Sequence, residues 1–141
     1  MLENVPLFSG LPKEALAEIE QHGSVKSYKK HVIVINQDDE TYSLYVILKG
    51  SVKVFVSGED GREAVLNHQQ AGDYFGDLSL ILGEKRTASV RALTYCEIFI
   101  LNRSDFNRIK NEYSEFRDIL TKTSAQKTDK ISTLIMDGIT L

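Results

Sequence analysis

The stretch that most constrains this chain is residues 72–92, which read GDYFGDLSLILGEKRTASVRA. Between Gly76 and Gly83 it carries a run of helix-forming residues about two turns long, too short to be stable on local propensity alone. A short helix that follows a glycine presents unpaired backbone N–H groups with a partial positive charge, which suits a phosphate or another anion. Gly76 has no side chain to obstruct a close approach, and Arg86 adds a fixed charge with forked donors. The stretch therefore predicts an anion site.

An acidic residue, Asp77, lies at the mouth of this predicted anion site. A carboxylate would repel a phosphate that it faced directly, but it accepts hydrogen bonds from hydroxyl groups. A ribose phosphate offers both groups a few ångströms apart. The residues therefore favour a nucleotide with its phosphate on Gly76 and Arg86 and a sugar hydroxyl on Asp77.

The segment FGDLSLILGEKRTASV resembles the phosphate-binding cassette of the cyclic nucleotide-binding domain family, and the resemblance covers roughly residues 5–131. That family includes the CRP/Fnr regulators, protein kinase A regulatory subunits and cyclic-nucleotide-regulated channels, and the part after residue 86 is most like the channel branch. One position departs from the family pattern, because Asp77 stands where cyclic-nucleotide binders usually have glutamate, which is one methylene longer. The positions that match are Phe75, Gly76, Leu78, Ser79, Leu80, Arg86, Thr87, Ala88, Ser89 and Val90.

The resemblance implies that the ligand is cAMP or cGMP and that its cyclic phosphate lies on the backbone amides of residues 76–79. It also implies that Asp77 accepts from the ribose 2′-hydroxyl, that Val65 or Leu66 helps to hold the base, and that the C-terminal helices close over the ligand. A hydroxyl at position 87 permits both nucleotides. The ligand-binding residues implied in this way are Phe75, Gly76, Asp77, Leu78, Ser79, Arg86, Thr87, Ala88, Val65, Leu66, Lys127 and Ile131.

Other interpretations of the same residues remain open at this stage. Asp77 and Arg86 could pair with each other, which would leave a ligand-free scaffold that serves as a protein interaction or dimerisation module. Lys127 fits a solvated lysine as well as a lid residue. Alignment to the channel-like members puts Lys127 and Ile131 at the lid positions and brings Thr123, Ser124 or Thr128 to the base. A further interpretation is the sensory half of a transcription regulator or a channel. The last helix is the surface expected to contact a second copy or an effector domain.

The rest of the chain predicts a mainly β fold with flanking helices, an antiparallel jelly roll in a single domain of 141 residues. Residues 1–23 form an N-terminal helical segment in which Pro12 begins the helix. Residues 24–102 form the roll, with the cassette at 75–89 and an Asp-Gly hairpin turn at 60–61. Residues 104–136 form two C-terminal helices, the first capped by Ser104 and the second by Ser114. The apolar residues 136–141 are either a docking contact or a frayed tail.

Composition limits the function classes. A net charge of −3 argues against direct nucleic-acid binding, since phosphate backbones require a basic face. The chain shows no signal peptide and no apolar run of membrane-spanning length, and its single cysteine, Cys96, fits a buried small side chain in a reduced protein. The sequence therefore predicts a soluble cytoplasmic protein. The three histidines lack the spacing of a metal site, and no nucleophile motif is present, so neither a cofactor nor an enzymatic activity is expected.

Overall fold

The computed structural model describes residues 1–136, with side chains described for residues 1–127. Two four-stranded antiparallel sheets have the strand orders β1-β8-β3-β6 and β2-β7-β4-β5, which confirms the predicted antiparallel roll. The strands are β1 Ser24–Tyr28, β2 Ile33–Ile35, β3 Ser43–Lys49, β4 Ser51–Ser57, β5 Glu63–Gln70, β6 Tyr74–Phe75, β7 Ser89–Ala92 and β8 Cys96–Asn102. The helices are α1 Lys13–His22, α2 Asp77–Leu82, α3 Arg103–Glu112 and α4 Ser114–Met136, and a short 3-10 turn spans Pro6–Phe8.

Apolar residues form two clusters that fix these elements relative to each other. The first lies between the sheets and joins side chains such as Ile47 and Ile98 to Val52 and Ala92 of the other sheet. The second packs the helices against the outer face of β3 and β8. Its members include Leu7, Phe8, Ile19, Leu44, Leu101, Phe106, Ile109, Phe116 and Leu120.

The first half of α4 is anchored by aromatic contacts in this second cluster. The ring of Phe116 stacks on Phe8 with centroids 5.7 Å apart and meets the edge of Phe106 at 6.0 Å. Such pairs stabilise a fold by about 0.5–1.5 kcal/mol beyond the burial of their area. The base of α4 is thereby held against the roll, and the helix continues from there towards α2.

The element bounds differ from the sequence expectations at several ends, and the cap of α3 was wrong. Its N-cap is Asn102, whose side chain accepts from the backbone N–H of Asp105 at 2.8 Å, so the helix begins at Arg103 and Ser104 lies inside it. Likewise, α4 begins at Ser114 itself. Pro12 occupies the N-cap position of α1 and not the first helical position. The observed helix starts differ from the expected ones because the backbone conformation selects the capping position. Residue type alone does not reveal that conformation.

Other expectations hold. The hairpin between β4 and β5 turns through Gly61, which has a positive φ of 82°, and Cys96 is fully buried. The two-residue strand β6, just before the cassette, was missed, as was the 3-10 turn. None of the helices in the described part of the chain is long and apolar enough to cross a membrane. The apolar chain end, residues 137–141, lies outside the described residues.

Candidate functional site

A cavity of about 590 Å³ lies between α2, the inner face of β5 and the middle of α4. Its volume falls in the range of sites for small molecules and cofactors, about 300–1,000 Å³. The walls combine apolar side chains from the roll with polar groups from the cassette and α4. The lining residues that matter below are Leu66, Gln69, Tyr74, Phe75, Gly76, Asp77, Leu78, Ser79, Arg86, Thr87, Ala88, Thr123 and Lys127.

Arg86 is 3% exposed and is held at one end of this cavity by neutral acceptors. Its Nη1 donates to the Gly76 carbonyl at 3.0 Å and to the Ser79 hydroxyl at 2.7 Å. Its Nε donates to the Thr41 hydroxyl at 2.9 Å, and its Nη2 donates to the Ser43 carbonyl at 3.3 Å. The guanidinium is thus fixed against the first turn of α2.

No carboxylate among the described side chains forms an ion pair with Arg86, and Asp77 pairs with Lys127 instead. The pairing of Asp77 with Arg86, considered from the sequence, therefore does not occur in this part of the chain. Burial lowers the pKa of the Arg86 guanidinium from its usual value, because a charge removed from water is less stable there. The group remains cationic all the same. The cavity consequently contains a buried positive charge without a neutralising partner of its own.

Gly76 makes this arrangement possible through its backbone. It is the N-cap of α2 and has a φ of 89°, in the left-handed region that glycine adopts without strain. A Cβ at this position would lie 2.6 Å from the Ser43 carbonyl oxygen and 3.0 Å from Nη1 of Arg86. Glycine is therefore required both by the conformation and by the close approach of β3 and Arg86.

Asp77 is 1% exposed and joins α2 to α4. Its Oδ2 accepts from the Ser124 hydroxyl at 2.6 Å, and its Oδ1 accepts from Lys127 Nζ at 2.6 Å. The same ammonium donates to the backbone carbonyl of Tyr74 at 3.3 Å and lies 4.6 Å from the centre of the Tyr74 ring. Lys127 is thus bound in the site and is not a solvated surface lysine.

Tyr74 forms the wall between Lys127 and the roll. Burial raises the pKa of its hydroxyl to about 12. Beside it, Phe75 stacks on Tyr45 with ring centroids 5.1 Å apart and planes at 4°. Tyr74 and Phe75 therefore give the cavity an aromatic wall next to the charged groups.

The structure brings most of the sequence-implied residues together. Two of them are exceptions: Val65 is 46% exposed and does not line the cavity, and Ile131 lies in α4 but its side chain is outside the described ones. Leu66, the alternative to Val65, is 7% exposed and lines the cavity. The residues that line it are Phe75, Gly76, Asp77, Leu78, Ser79, Arg86, Thr87, Ala88, Leu66 and Lys127.

Sequence reasoning missed the acceptors that orient Arg86, Thr41 and Ser43, and it missed Gln69 in the wall. A β-bulge explains the last case. Val54 of β4 pairs with Asn67, and the next residue of β4 pairs with Val65, so one residue of β5 is extra. The bulge shifts the alternation of side chains by one position, and Gln69 turns inward. No signal in the sequence marks this bulge.

Comparisons with known proteins agree on one family. A family model described as the cyclic nucleotide-binding domain matches residues 25–113. The chain is 33% identical over 111 residues to the cAMP-activated global transcriptional regulator CRP of Escherichia coli, a match that covers 78% of this chain and 51% of the regulator. It is 30% identical over 130 residues to the cGMP-dependent 3′,5′-cGMP phosphodiesterase A of Dictyostelium discoideum, covering 92% of this chain and 14% of that enzyme.

The fold comparison gives the same picture. The regulatory subunit of a cAMP-independent protein kinase A from Trypanosoma brucei superimposes with a TM-score of 0.79 at 28% identity, over 88% of this chain and 44% of that one. The chain spans about half the length of the regulator and a smaller share of the phosphodiesterase. The similarity therefore concerns one domain of each of these larger proteins.

Proposed function

Since this chain belongs to the cyclic nucleotide-binding domain family, we propose that it is a non-catalytic sensor module that binds cAMP, cGMP or both. The cyclic phosphate lies against the backbone amides of α2, the Arg86 guanidinium and the Thr87 hydroxyl. Phe75 and Leu78 support the base from the cassette, and Leu66, instead of Val65, supports it from β5. Closure of α4 over the ligand is the signal.

The observation that carries this proposal is the buried charge of Arg86. A cation at 3% exposure, without an ion pair among the described side chains, is destabilised by desolvation unless an anion joins it. Its hydrogen bonds to Gly76 and Ser79 fix it beside the first turn of α2, where unpaired backbone N–H groups also favour an anion. A cyclic phosphate supplies one negative charge at that point.

The second part of the proposal concerns the ribose and its contact with Asp77. We assign to it the ribose 2′-hydroxyl, which would donate to a carboxylate that already accepts from Ser124 and Lys127. Ligand and helix α4 therefore meet at the same carboxylate. A ligand that contacts α4 better in one position than in another shifts the population towards that position, which is how binding becomes a signal.

The test is calorimetric titration of the purified chain with cAMP, cGMP and adenosine, repeated with Arg86→Leu. We expect saturable binding of at least one cyclic nucleotide, and a loss of about 2–5 kcal/mol in the variant, which is about thirtyfold or more in Kd. Adenosine lacks the phosphate, so its weak binding should not change. The matched control is Arg91→Leu, because Arg91 is an arginine of β7 whose side chain is 32% exposed and pairs with Glu63 outside the cavity.

Equal affinities of wild type and Arg86→Leu for a cyclic nucleotide would refute the phosphate assignment. Failure of the wild type to bind either nucleotide, together with a mass that rises with protein concentration, would favour the ligand-free interaction module. Binding of adenosine as tight as that of cAMP would show a nucleoside site in which Arg86 has no ligand role.

A further inference from the structure

Gln69 is a buried polar side chain of the cavity wall that the proposed phosphate and ribose contacts do not use. Gln69 lies near the end of β5, opposite Val52 of β4, and is 7% exposed. Its Oε1 atom is shut off from water and has no hydrogen-bond partner among the described residues. The neighbouring wall includes the apolar side chains of Leu66 and Val54, together with the more exposed Asn67 and His68. A buried amide oxygen without a partner is destabilising, and native proteins keep such groups where a ligand or another partner pairs with them.

Gln69 and the charged groups of the site lie on different elements. Arg86 and Ser79 belong to the cassette, whereas Gln69 is on the strand that carries Leu66, the residue we assign to the base. A carboxamide has an acceptor oxygen and a donor NH₂ side by side, and a half-turn about its terminal torsion exchanges them at little expense. Gln69 can therefore pair with any ligand edge that places a donor next to an acceptor.

The two purines differ in how well they meet that requirement. Both hydrogen-bonding edges of adenine place the exocyclic 6-amine, a donor, beside a ring nitrogen that accepts, and glutamine pairs with this pattern through two hydrogen bonds. Guanine shows two acceptors, N7 and O6, on the edge that carries N7, so a carboxamide can satisfy only one of them there. Its Watson–Crick edge places the N1–H donor beside O6, and a carboxamide can pair with both. An amide on the wall therefore favours adenine where it meets the N7 edge of the base.

We propose that the Gln69 carboxamide reads the base of the bound nucleotide at its N7 edge, pairing with the 6-amine and N7 of adenine, and so selects cAMP over cGMP. This inference rests on the proposed function, because it assigns the base specificity of the same cavity. The bulge in β5 is the structural cause, since it turns Gln69 inward in place of its exposed neighbours His68 and Gln70.

The experiment is titration of wild type and Gln69→Met with cAMP, with cGMP, and with the cyclic phosphate of purine riboside, which lacks the 6-amine. Methionine keeps the length of the side chain and removes both hydrogen-bonding groups. We expect the variant to bind cAMP about tenfold more weakly and to lose less affinity for the purine riboside analogue, which keeps only the ring nitrogen as a partner for Gln69. The preference of the wild type for cAMP over both the analogue and cGMP should therefore shrink in the variant. The matched control is Gln70→Met, which changes the exposed glutamine next in the strand and should leave all three affinities as they are.

Folding is checked by thermal melting, where Gln69→Met should be at least as stable as wild type because an apolar group replaces an unpaired amide. Gln69→Leu serves as a second apolar variant if methionine packs badly. Equal changes for cAMP and for the analogue, or no change in either, would overturn the role of Gln69 while nucleotide binding by the wild type would leave the proposed function intact. A wild type that binds none of the three ligands would overturn both.

Discussion

Replacing Lys127 with methionine removes the ammonium group that lies 2.6 Å from the Asp77 carboxylate and keeps most of the aliphatic side chain. The two ends of this ion pair are not equivalent. The Asp77 side chain is 1% exposed, whereas 23% of the Lys127 side chain is exposed. Loss of the lysine leaves a buried carboxylate with Ser124 as its described side-chain donor, but loss of the carboxylate leaves an ammonium group that can turn towards water.

The magnitudes follow from this asymmetry. Charges about 4 Å apart attract by about 4 kcal/mol at an effective dielectric constant of about 20, and desolvation of the carboxylate offsets much of that. A net coupling of about 1–2 kcal/mol remains for a pair with one partly exposed member. We therefore expect Lys127→Met to lower the free energy of unfolding by about 2–4 kcal/mol and Asp77→Asn to lower it by only about 1 kcal/mol.

Urea unfolding of the wild type, both single variants and the double variant closes a thermodynamic cycle that isolates the coupling. Lys122→Met is the matched control, since Lys122 is an exposed lysine on the same helix. Amide hydrogen exchange should also show that residues 120–127 lose protection in Lys127→Met, because the ion pair joins this part of α4 to α2.

Additive effects of the two substitutions, within about 0.3–0.5 kcal/mol, would refute the reasoning that the pair is coupled. A Lys127→Met variant as stable as Lys122→Met would show that the ammonium group contributes nothing to the attachment of α4. A larger loss for Asp77→Asn than for Lys127→Met would contradict the argument from burial.

Three further outcomes test other parts of the structure. Gly76→Ala should lower the free energy of unfolding by about 1–3 kcal/mol, since its Cβ would lie 2.6 Å from a carbonyl oxygen of β3. Gly72 has a similar φ of 96° but open space around it, so Gly72→Ala should lower the free energy of unfolding by only about 1 kcal/mol. Thermal or urea unfolding measures both. Asn102→Ala should destabilise the protein by about 1 kcal/mol through loss of the α3 cap, while Ser104→Ala should change the urea midpoint little; the reverse result would restore Ser104 as the cap. Because the pKa of Tyr74 is raised from 10.0 to about 12, the folded state favours the neutral phenol, so its contribution to stability is complete below about pH 10 and is lost as the pH rises towards 12. Unfolding free energies measured between about pH 9 and about pH 11 should fall less steeply in Tyr74→Phe than in wild type, and parallel slopes would contradict this.

Local patterns in the sequence were sufficient to predict the fold class and to place Gly76 and Arg86 in one site. Regularly spaced turns and short β-prone runs predicted the antiparallel roll, because these signals act within a few residues. Gly76 and Arg86 were predicted as neighbours, and the structure places the guanidinium 3.0 Å from the Gly76 carbonyl.

Local sequence patterns could not predict contacts between segments that are distant in the chain. The partners of Arg86 are Thr41, which precedes β3, and Ser43, which begins it. Both lie about 45 residues away in the chain and have no pattern of their own. The position of Lys127 over Asp77 depends on the direction of α4, which is set by the packing of Phe116 against Phe8. Sequence spacing left that lysine equally consistent with solvent.

The sequence by itself determined the roll, the helical cassette between two glycines and the placement of an arginine beside it, because turns, caps and left-handed glycines are local in origin. Only the tertiary structure decided which side chains face the cavity. One extra residue in β5 turns Gln69 inward, and Val65 remains on the exposed face. Strand register is fixed by the pairing of both strands at once, so a single strand cannot reveal it.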